Sequence, residues 1–382
     1  MRSHVTLSEN DSDALGTNSI PLPKSIPSDV NCAPVQIPTP GPPPQCSPNQ
    51  SCDPVCRPNT CLPEEPACEP DFESRSFAST QLRFLWLELT GKCNLQCVHC
   101  YADSGPLQHL HSEMSVEDWE NILQQAADLG CRAVQFIGGE PTMYPALSRL
   151  IERARDLGFT LIEVYTNGTM LKPELKETLL KHDVHLAFSV YSSTAQIHDQ
   201  VTQQTGSHSK TLESIRWALD SGLSVRAGII EMEANAGEAN QTRAMLNEMG
   251  VSKIGVDRLR GIGRGGSPCT VDSQLSELCG ACSRGKVTVS STGEIFPCPM
   301  SRFWVVGSTK NGLRAAVQGD SLRTFREKLK EVVPQRVRPY RLPDTETENG
   351  CEPGDCTPLV TPCAICEPDF GEPCAICEPD FE

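Results

Sequence analysis

Between residues 82 and 257, six apolar runs of strand length alternate with five segments of helical periodicity, and this alternation restricts the fold more than any other feature. The strand-length runs are 82–89, 133–137, 159–165, 184–191, 223–230 and 251–257. Ser115-Val-Glu-Asp118 has the form of a capping box, followed by apolar Trp119, Ile122, Leu123, Ala126 and Leu129, with Gly130 as the stop. Further helices are predicted near 146–157, over 173–181, over 211–221 and near 239–249. A connection containing ten or more helical residues returns the chain to the same end of the sheet. The strands therefore run parallel, with right-handed crossovers. Six such units predict an α/β protein built as a partial (β/α)6 TIM-like barrel, in which chemistry gathers at the carboxyl ends of the strands.

Composition divides the chain. Of 31 Pro and 20 Cys, residues 1–76 hold 15 and 6, residues 334–382 hold 9 and 6, and residues 77–333 keep only 7 and 8. Proline fixes φ and removes an amide donor, so both flanks are expected to be disordered Pro/Cys-rich segments. The packed body then splits into a barrel over 77–265 and a small Cys-rich β-hairpin extension over 266–333. Cys68-Glu-Pro-Asp-Phe-Glu73 recurs at Cys366 and at Cys377, the last two within a tandem copy in the 334–382 tail. These repeats admit three readings: a low-complexity tail, paired thiolates for a metal, or a mimic of a Cys-rich peptide substrate. No apolar run of membrane-spanning length and no signal-peptide core occur, which makes the cytoplasm the expected location. There, cysteines serve as metal ligands or reduced thiols rather than as a disulfide framework. A net charge of −16 argues against nucleic acid or an anionic membrane as partner.

The loop after the first strand reads Thr90-Gly-Lys-Cys93-Asn-Leu-Gln-Cys97-Val-His-Cys100. A C-x3-C-x2-C spacing can bind three irons of a [4Fe–4S] cube and leave the fourth open, whereas structural zinc wants a fourth ligand that is absent locally. The second strand runs into Gly138-Gly139-Glu140-Pro141, where two glycines permit close backbone approach and a carboxylate can pair with an ammonium group.

The Cys triad after strand one and the Gly-Gly-Glu-Pro after strand two together resemble the radical S-adenosylmethionine (radical SAM) superfamily, over roughly residues 80–300. His99 stands where that family often has an aromatic residue. The resemblance implies a [4Fe–4S] cluster on Cys93, Cys97 and Cys100. It also implies S-adenosyl-L-methionine chelating the open iron, with Gly138, Gly139 and Glu140 at the methionine amine. Thr166 and Asn167 would line the nucleoside pocket, Ser189 would touch the ribose, and Ile229 or Ile230 would pack on adenine. The alternative for Ser189 is that it simply faces the sheet. Arg260 and Arg264 could meet the S-adenosylmethionine carboxylate or an acidic substrate, or belong to a solvated basic loop. His198-Asp199 and Gly206-Ser207-His208 resemble a loop that many peptide-modifying members carry before their fourth helix. His182, His185 and His208 read as surface or satisfied core histidines, and Cys131 as a buried thiol.

Cys279-Gly-Ala-Cys282 precedes alternating residues at 286–290 and then Gly293-Glu-Ile-Phe-Pro-Cys298, a pattern of hairpin type. The C-x10-G-x4-C spacing from Cys282 to Cys298 resembles the start of the SPASM or Twitch extension, which implies an auxiliary iron–sulfur cluster. Cys269, Cys279, Cys282 and Cys298 would make a four-thiolate site, with the tail cysteines as other ligands and zinc in a hairpin ribbon as the alternative.

The expected function is reductive cleavage of S-adenosylmethionine followed by hydrogen abstraction from a substrate, a ribosomally made peptide first among classes. An external one-electron donor such as a flavodoxin or ferredoxin would be a partner. Alternatives are a radical SAM enzyme acting on a small molecule in cofactor biosynthesis, and a non-enzymatic Cys-rich metal-binding scaffold.

Overall fold

The computed structural model describes residues 82–109, 113–266 and 268–333; the Cys-Glu-Pro-Asp-Phe repeats and the flanks expected to be disordered lie outside them. Within the described residues a nine-stranded sheet runs in the order β6-β5-β4-β3-β2-β1-β7-β8-β9. Its strands are β1 (Phe84–Glu88), β2 (Ala133–Ile137), β3 (Leu161–Thr166), β4 (His185–Ser189), β5 (Val225–Glu231), β6 (Lys253–Arg258), β7 (Lys286–Val289), β8 (Glu294–Phe296) and β9 (Gly307–Ser308). The helices are α1 (Val116–Asp128), α2 (Leu147–Asp156), α3 (Pro173–Lys181), α4 (Ala195–Thr202), α5 (Ser207–Asp220), α6 (Ala239–Glu248), α7 (Val271–Ser276), α8 (Leu313–Gln318) and α9 (Asp320–Val332).

Strands β1 to β6 pair in parallel with their sequence neighbours, as the strand–helix alternation requires. The sheet is of TIM-like barrel type but stays open, with β6 and β9 as its edges. Side chains alternate between its faces. One face carries Leu85, Leu87, Val134, Phe136, Ile162, Val164, Phe188 and Ile229, all buried in the main core. The helices close over them with stripes such as Trp119, Ile122, Leu123 and Ala126 of α1. That helix begins in the predicted capping box: Ser115 Oγ accepts from the Asp118 amide at 3.1 Å, and the Asp118 carboxylate accepts from the Ser115 amide at 2.9 Å.

The opposite face mixes buried apolar residues such as Phe84, Trp86 and Ile137 with buried polar ones. Glu163 of β3 and Arg226 of β5 form a buried two-pronged pair, with Nε to Oε2 at 2.7 Å and Nη2 to Oε1 at 2.6 Å. Gln135 of β2 also donates to Glu163. Such a pair is tolerated in the interior only when charge and hydrogen bonds are both matched.

Two features depart from the sequence reading. His198-Asp199, expected in a loop, lies inside α4; Asp199 then accepts from the Gly206 amide, Ser207 Oγ and the His208 amide at 2.6, 2.9 and 2.9 Å, ordering the start of α5. The predicted hairpin forms as β7 and β8, but β7 adds to the barrel sheet by pairing in parallel with β1. Cys131 is a fully buried thiol, as expected. Among the described residues, no helix is long and apolar enough to cross a membrane.

Candidate active site

The cysteine loop begins where β1 leaves the sheet, and the segments after four other strands hold it. From β2, the Gly139 amide donates to Thr90 O at 2.6 Å and the Glu140 amide to Lys92 O at 2.9 Å. A Cβ on Gly139 would fall 2.2 Å from Lys92 O, and one on Gly138 would fall 2.8 Å from Thr90 O. The glycine pair is therefore demanded by the backbone of the cysteine loop itself. After β3, Asn167 Nδ2 donates to Asn94 Oδ1 at 2.9 Å, and Asn94 Nδ2 donates to Thr169 Oγ1 at 2.7 Å. After β4, the last carbonyls of α4 accept from the loop: Thr202 O from the Gln96 amide at 3.2 Å and Val201 O from the Val98 amide at 3.0 Å. After β6, Arg264 reaches Cys97 O at 2.8 Å and Ser104 O at 2.7 Å.

These attachments make one wall of a cleft of about 1030 Å³, its open mouth included. Cys93, Cys97 and Cys100 line it together with Gly138, Gly139, Glu140, Thr166, Asn167, Ser189, Ile230, Arg260 and Arg264, so every first-cluster and cofactor candidate meets at one place. Of the two isoleucines considered, Ile230 faces the cleft and Ile229 is buried in the core on the other face.

The cysteines suit a cluster. The Leu95 and Ser104 amides each point at a sulfur, Cys93 Sγ and Cys100 Sγ, both at 3.4 Å. Burial first, then the Glu140 carboxylate, pushes the Cys93 thiol up to about 12. Cys97 is raised further, by burial and then by Cys100 and Cys93. Thiols so placed hold their protons until a metal cation displaces them. Among the described residues no three His, Cys, Asp or Glu side chains gather as a single metal ion requires. A cube spreads its thiolates over separate irons, which three thiols on one eight-residue loop can serve.

Glu140 is buried, and burial raises its carboxyl despite four hydrogen bonds. Its Oε1 accepts from the Thr142 amide at 3.0 Å, Thr142 Oγ1 at 2.7 Å and Thr166 Oγ1 at 2.6 Å. Ser189 turns into the cleft and hydrogen-bonds Tyr191. Arg260 lines the cleft and is also held by partners within the chain. Its guanidinium, almost wholly buried at the cleft wall, donates to Asp257 at 2.9–3.1 Å and to Glu277 O at 2.5 Å. Arg264 likewise addresses the loop. The sequence reading missed Tyr165, Tyr191 and Met300 among the lining residues; the only available signal was the alternation that puts Tyr165 and Tyr191 near strand ends.

Cys279, Cys282 and Cys298 are buried together in the core, with Cys282 Sγ and Cys298 Sγ 3.2 Å apart. Cys269, the fourth thiolate of the expected site, is disulfide-bonded in this structure. Two residues beyond Cys298, Met300 lines the cleft, and Arg302 pairs with Glu88 at the end of β1. The extension thus reaches the cysteine-loop end of the sheet.

A parallel sheet whose strand-end loops converge on one cysteine-lined cleft has the layout of a TIM-like barrel with its site at the carboxyl ends of the strands. Residues 87–232 match the family described as the Radical SAM superfamily, and this segment is a radical SAM domain. Enzymes of that family use a [4Fe–4S] cluster and S-adenosylmethionine. The chain is 27% identical over 180 residues to the antilisterial bacteriocin subtilosin biosynthesis protein AlbA of Bacillus subtilis, covering 47% of this chain and 40% of AlbA. It is 35% identical over 146 residues to the PqqA peptide cyclase of Rhodopseudomonas palustris, covering 37% of this chain and 38% of that protein. The chain thus spans well under half the length of these two relatives. A probable GTP 3′,8-cyclase of Methanothermobacter marburgensis and an AdoMet-dependent heme synthase of Methanosarcina barkeri match as well. Among solved structures, SuiB of Streptococcus suis aligns with a TM-score of 0.53 at 16% identity, covering 65% of this chain and 68% of SuiB.

Proposed function

We propose that this chain is a radical SAM peptide maturase, with its cluster on Cys93, Cys97 and Cys100 and its auxiliary thiolates at Cys279, Cys282 and Cys298. The convergence of the three loop cysteines with Gly138–Glu140, Thr166, Asn167, Ser189 and Ile230 on one cleft carries the reading. A cluster held by Cys93, Cys97 and Cys100 would supply the electron for reductive cleavage of S-adenosylmethionine and so the means of hydrogen abstraction from a substrate. The protein's part is to hold and shield. Oε2 of Glu140, with one protein donor, has a lone pair for an ammonium group. Thr166, Asn167 and Ser189 present polar atoms to a nucleoside, while Ile230 gives its base an apolar surface.

The peptide class is supported by the names of the matched relatives. The buried trio supports an auxiliary cluster, which would take up the second electron of an oxidative crosslink.

The test is anaerobic. Reconstituted protein given dithionite and S-adenosylmethionine forms 5′-deoxyadenosine, and replacement of Cys93, Cys97 and Cys100 with Ala abolishes it while residual iron stays bound. Replacement of Cys279, Cys282 and Cys298 lowers the iron count but spares nucleoside formation. Bound zinc with no nucleoside would instead favour the metal scaffold. A mass change after turnover in a short peptide encoded beside this chain tests the substrate class, and an unchanged peptide points to a small molecule.

A further inference from the structure

We propose that Arg264 is a positioning residue that pins the cysteine loop and, through its charge, raises the reduction potential of the cluster there. The inference rests on the cluster assignment above. Arg264 lies in the turn after β6, 164 positions after Cys100 in the sequence (264 − 100), yet its contacts all address that loop. Nε donates to Cys97 O at 2.8 Å, Nη2 to Ser104 O at 2.7 Å, and Nη1 to Asp103 Oδ1 at 2.7 Å. Its own amide donates to Cys100 O at 3.0 Å. The acceptors thus include the carbonyls of two of the three thiol residues. The preceding Gly263 has φ +59°, and a Cβ there would fall 2.4 Å from both Cys100 O and Tyr101 O. Backbone lies directly on backbone, and the rigid guanidinium fork spans three acceptors that an ammonium group cannot span together.

The charge reaches the site. The Arg264 guanidinium lies 2.8 Å from Cys97 O and 2.7 Å from Ser104 O, against the loop that carries the three thiols. Reduction adds one negative charge to a cluster, and a fixed cation beside it stabilises that state. Asp103, with its side chain 68% exposed, offsets part of the cation. The pair therefore sets the potential by difference, which makes the two residues separable.

The experiment is a redox titration, read by electron paramagnetic resonance, of the reconstituted full chain and three variants. Arg264→Gln lowers the potential enough to cut the reduced fraction about tenfold at fixed poise, equivalent to about 59 mV for one electron. Asp103→Asn keeps an acceptor for Nη1 but removes the negative charge, so the potential rises. Arg264→Lys stays near the parent potential while amide exchange across residues 97–105 of the apo-protein speeds up, as it does in Arg264→Gln. Shifts of Arg264→Gln and Asp103→Asn in the same direction, or no shift with iron content intact, would overturn the electrostatic role. Unchanged exchange in both arginine variants would overturn the positioning role. A parent protein that assembles no cluster would overturn the parent reading and the electrostatic role with it, while the exchange data still decide the positioning role.

Discussion

Glu140 and Asn167 meet across the ends of β2 and β3, where the Asn167 amide donates to Oε2 of the carboxylate at 2.8 Å. The other oxygen, Oε1, is loaded with three donors from Thr142 and Thr166. The residue thus serves two ends: it ties β2 to β3, and it keeps one oxygen available to the cleft.

Glu140→Gln and Glu140→Ala should separate these ends. Gln keeps an acceptor for the strand-end donors but loses the charge, so affinity for S-adenosylmethionine falls tenfold or more with little change in melting temperature. Ala strands buried donors, each costing about 1–3 kcal/mol, so both affinity and melting temperature fall. Equilibrium dialysis and a thermal melt decide it; equal affinity in Glu140→Gln and the parent would rule out a charge role.

Gly139→Ala should damage the cysteine loop without touching a ligand atom. The added Cβ would lie 2.2 Å from Lys92 O, backbone with nowhere to retreat. Overpacking of this kind costs about 1–3 kcal/mol, and iron retained after reconstitution should drop with the melting temperature. Gly105→Ala is the control: its nearest atom is Gln96 Cδ at 3.9 Å, ordinary contact distance. Equal iron retention in the two variants would refute the argument.

What could be read from the chain, and what could not, follows from the range of each interaction. The strands β1 to β5 were legible because apolar residues occupy both faces or one whole face, and α1 because Ser115 and Asp118 cap it locally. The cysteine triad and Gly138–Glu140 were legible as compact spellings. The pairing of β7 with β1 was not, since periodicity reveals a strand but never its neighbour across about 200 residues. The internal partners of the two arginines were hidden for the same reason: Arg260 and Arg264 line the cleft as expected, but Asp257 with Glu277 O and the carbonyls of the cysteine loop become visible as their partners only once the chain is folded. Helix α4 is short and has no side-chain hydrogen bond at its N-cap, which left no start signal.

The Glu163–Arg226 pair should be needed mainly as a pair. Removing one partner leaves an uncompensated charge in the interior, and Arg226→Ala should cost about 3–5 kcal/mol. The double change Glu163→Gln with Arg226→Met removes both charges and still leaves an acceptor for Gln135, so much of the loss should return. Chemical denaturation of the apo-proteins measures this. A double variant no more stable than Arg226→Ala would show that the ion pair is not the source of the cost.

His198 should make the stability of the apo-protein depend on pH. It is 1% exposed, its ring lies 5.4 Å from that of Tyr191 and 5.3 Å from that of His208, and its Nδ1 accepts from the Tyr191 amide at 3.3 Å. Burial, then the neighbouring His208, brings it down to about 4, against the opposing pull of Asp199. A histidine depressed in the folded state binds its proton more readily when unfolded. Its contribution is therefore complete above the unfolded value near 6.5 and is lost as pH falls toward 4. Between pH 6.5 and 5 this amounts to about 2 kcal/mol at 1.36 kcal/mol per pH unit. His198→Asn retains an acceptor near Nδ1 and cannot take up the proton, so its stability should fall less steeply over that range. His208, also lowered by burial, keeps the slope from vanishing. Denaturation curves for the parent and His198→Asn at pH 7, 6 and 5 provide the check, and parallel pH slopes would show that His198 already carries its proton in the folded chain.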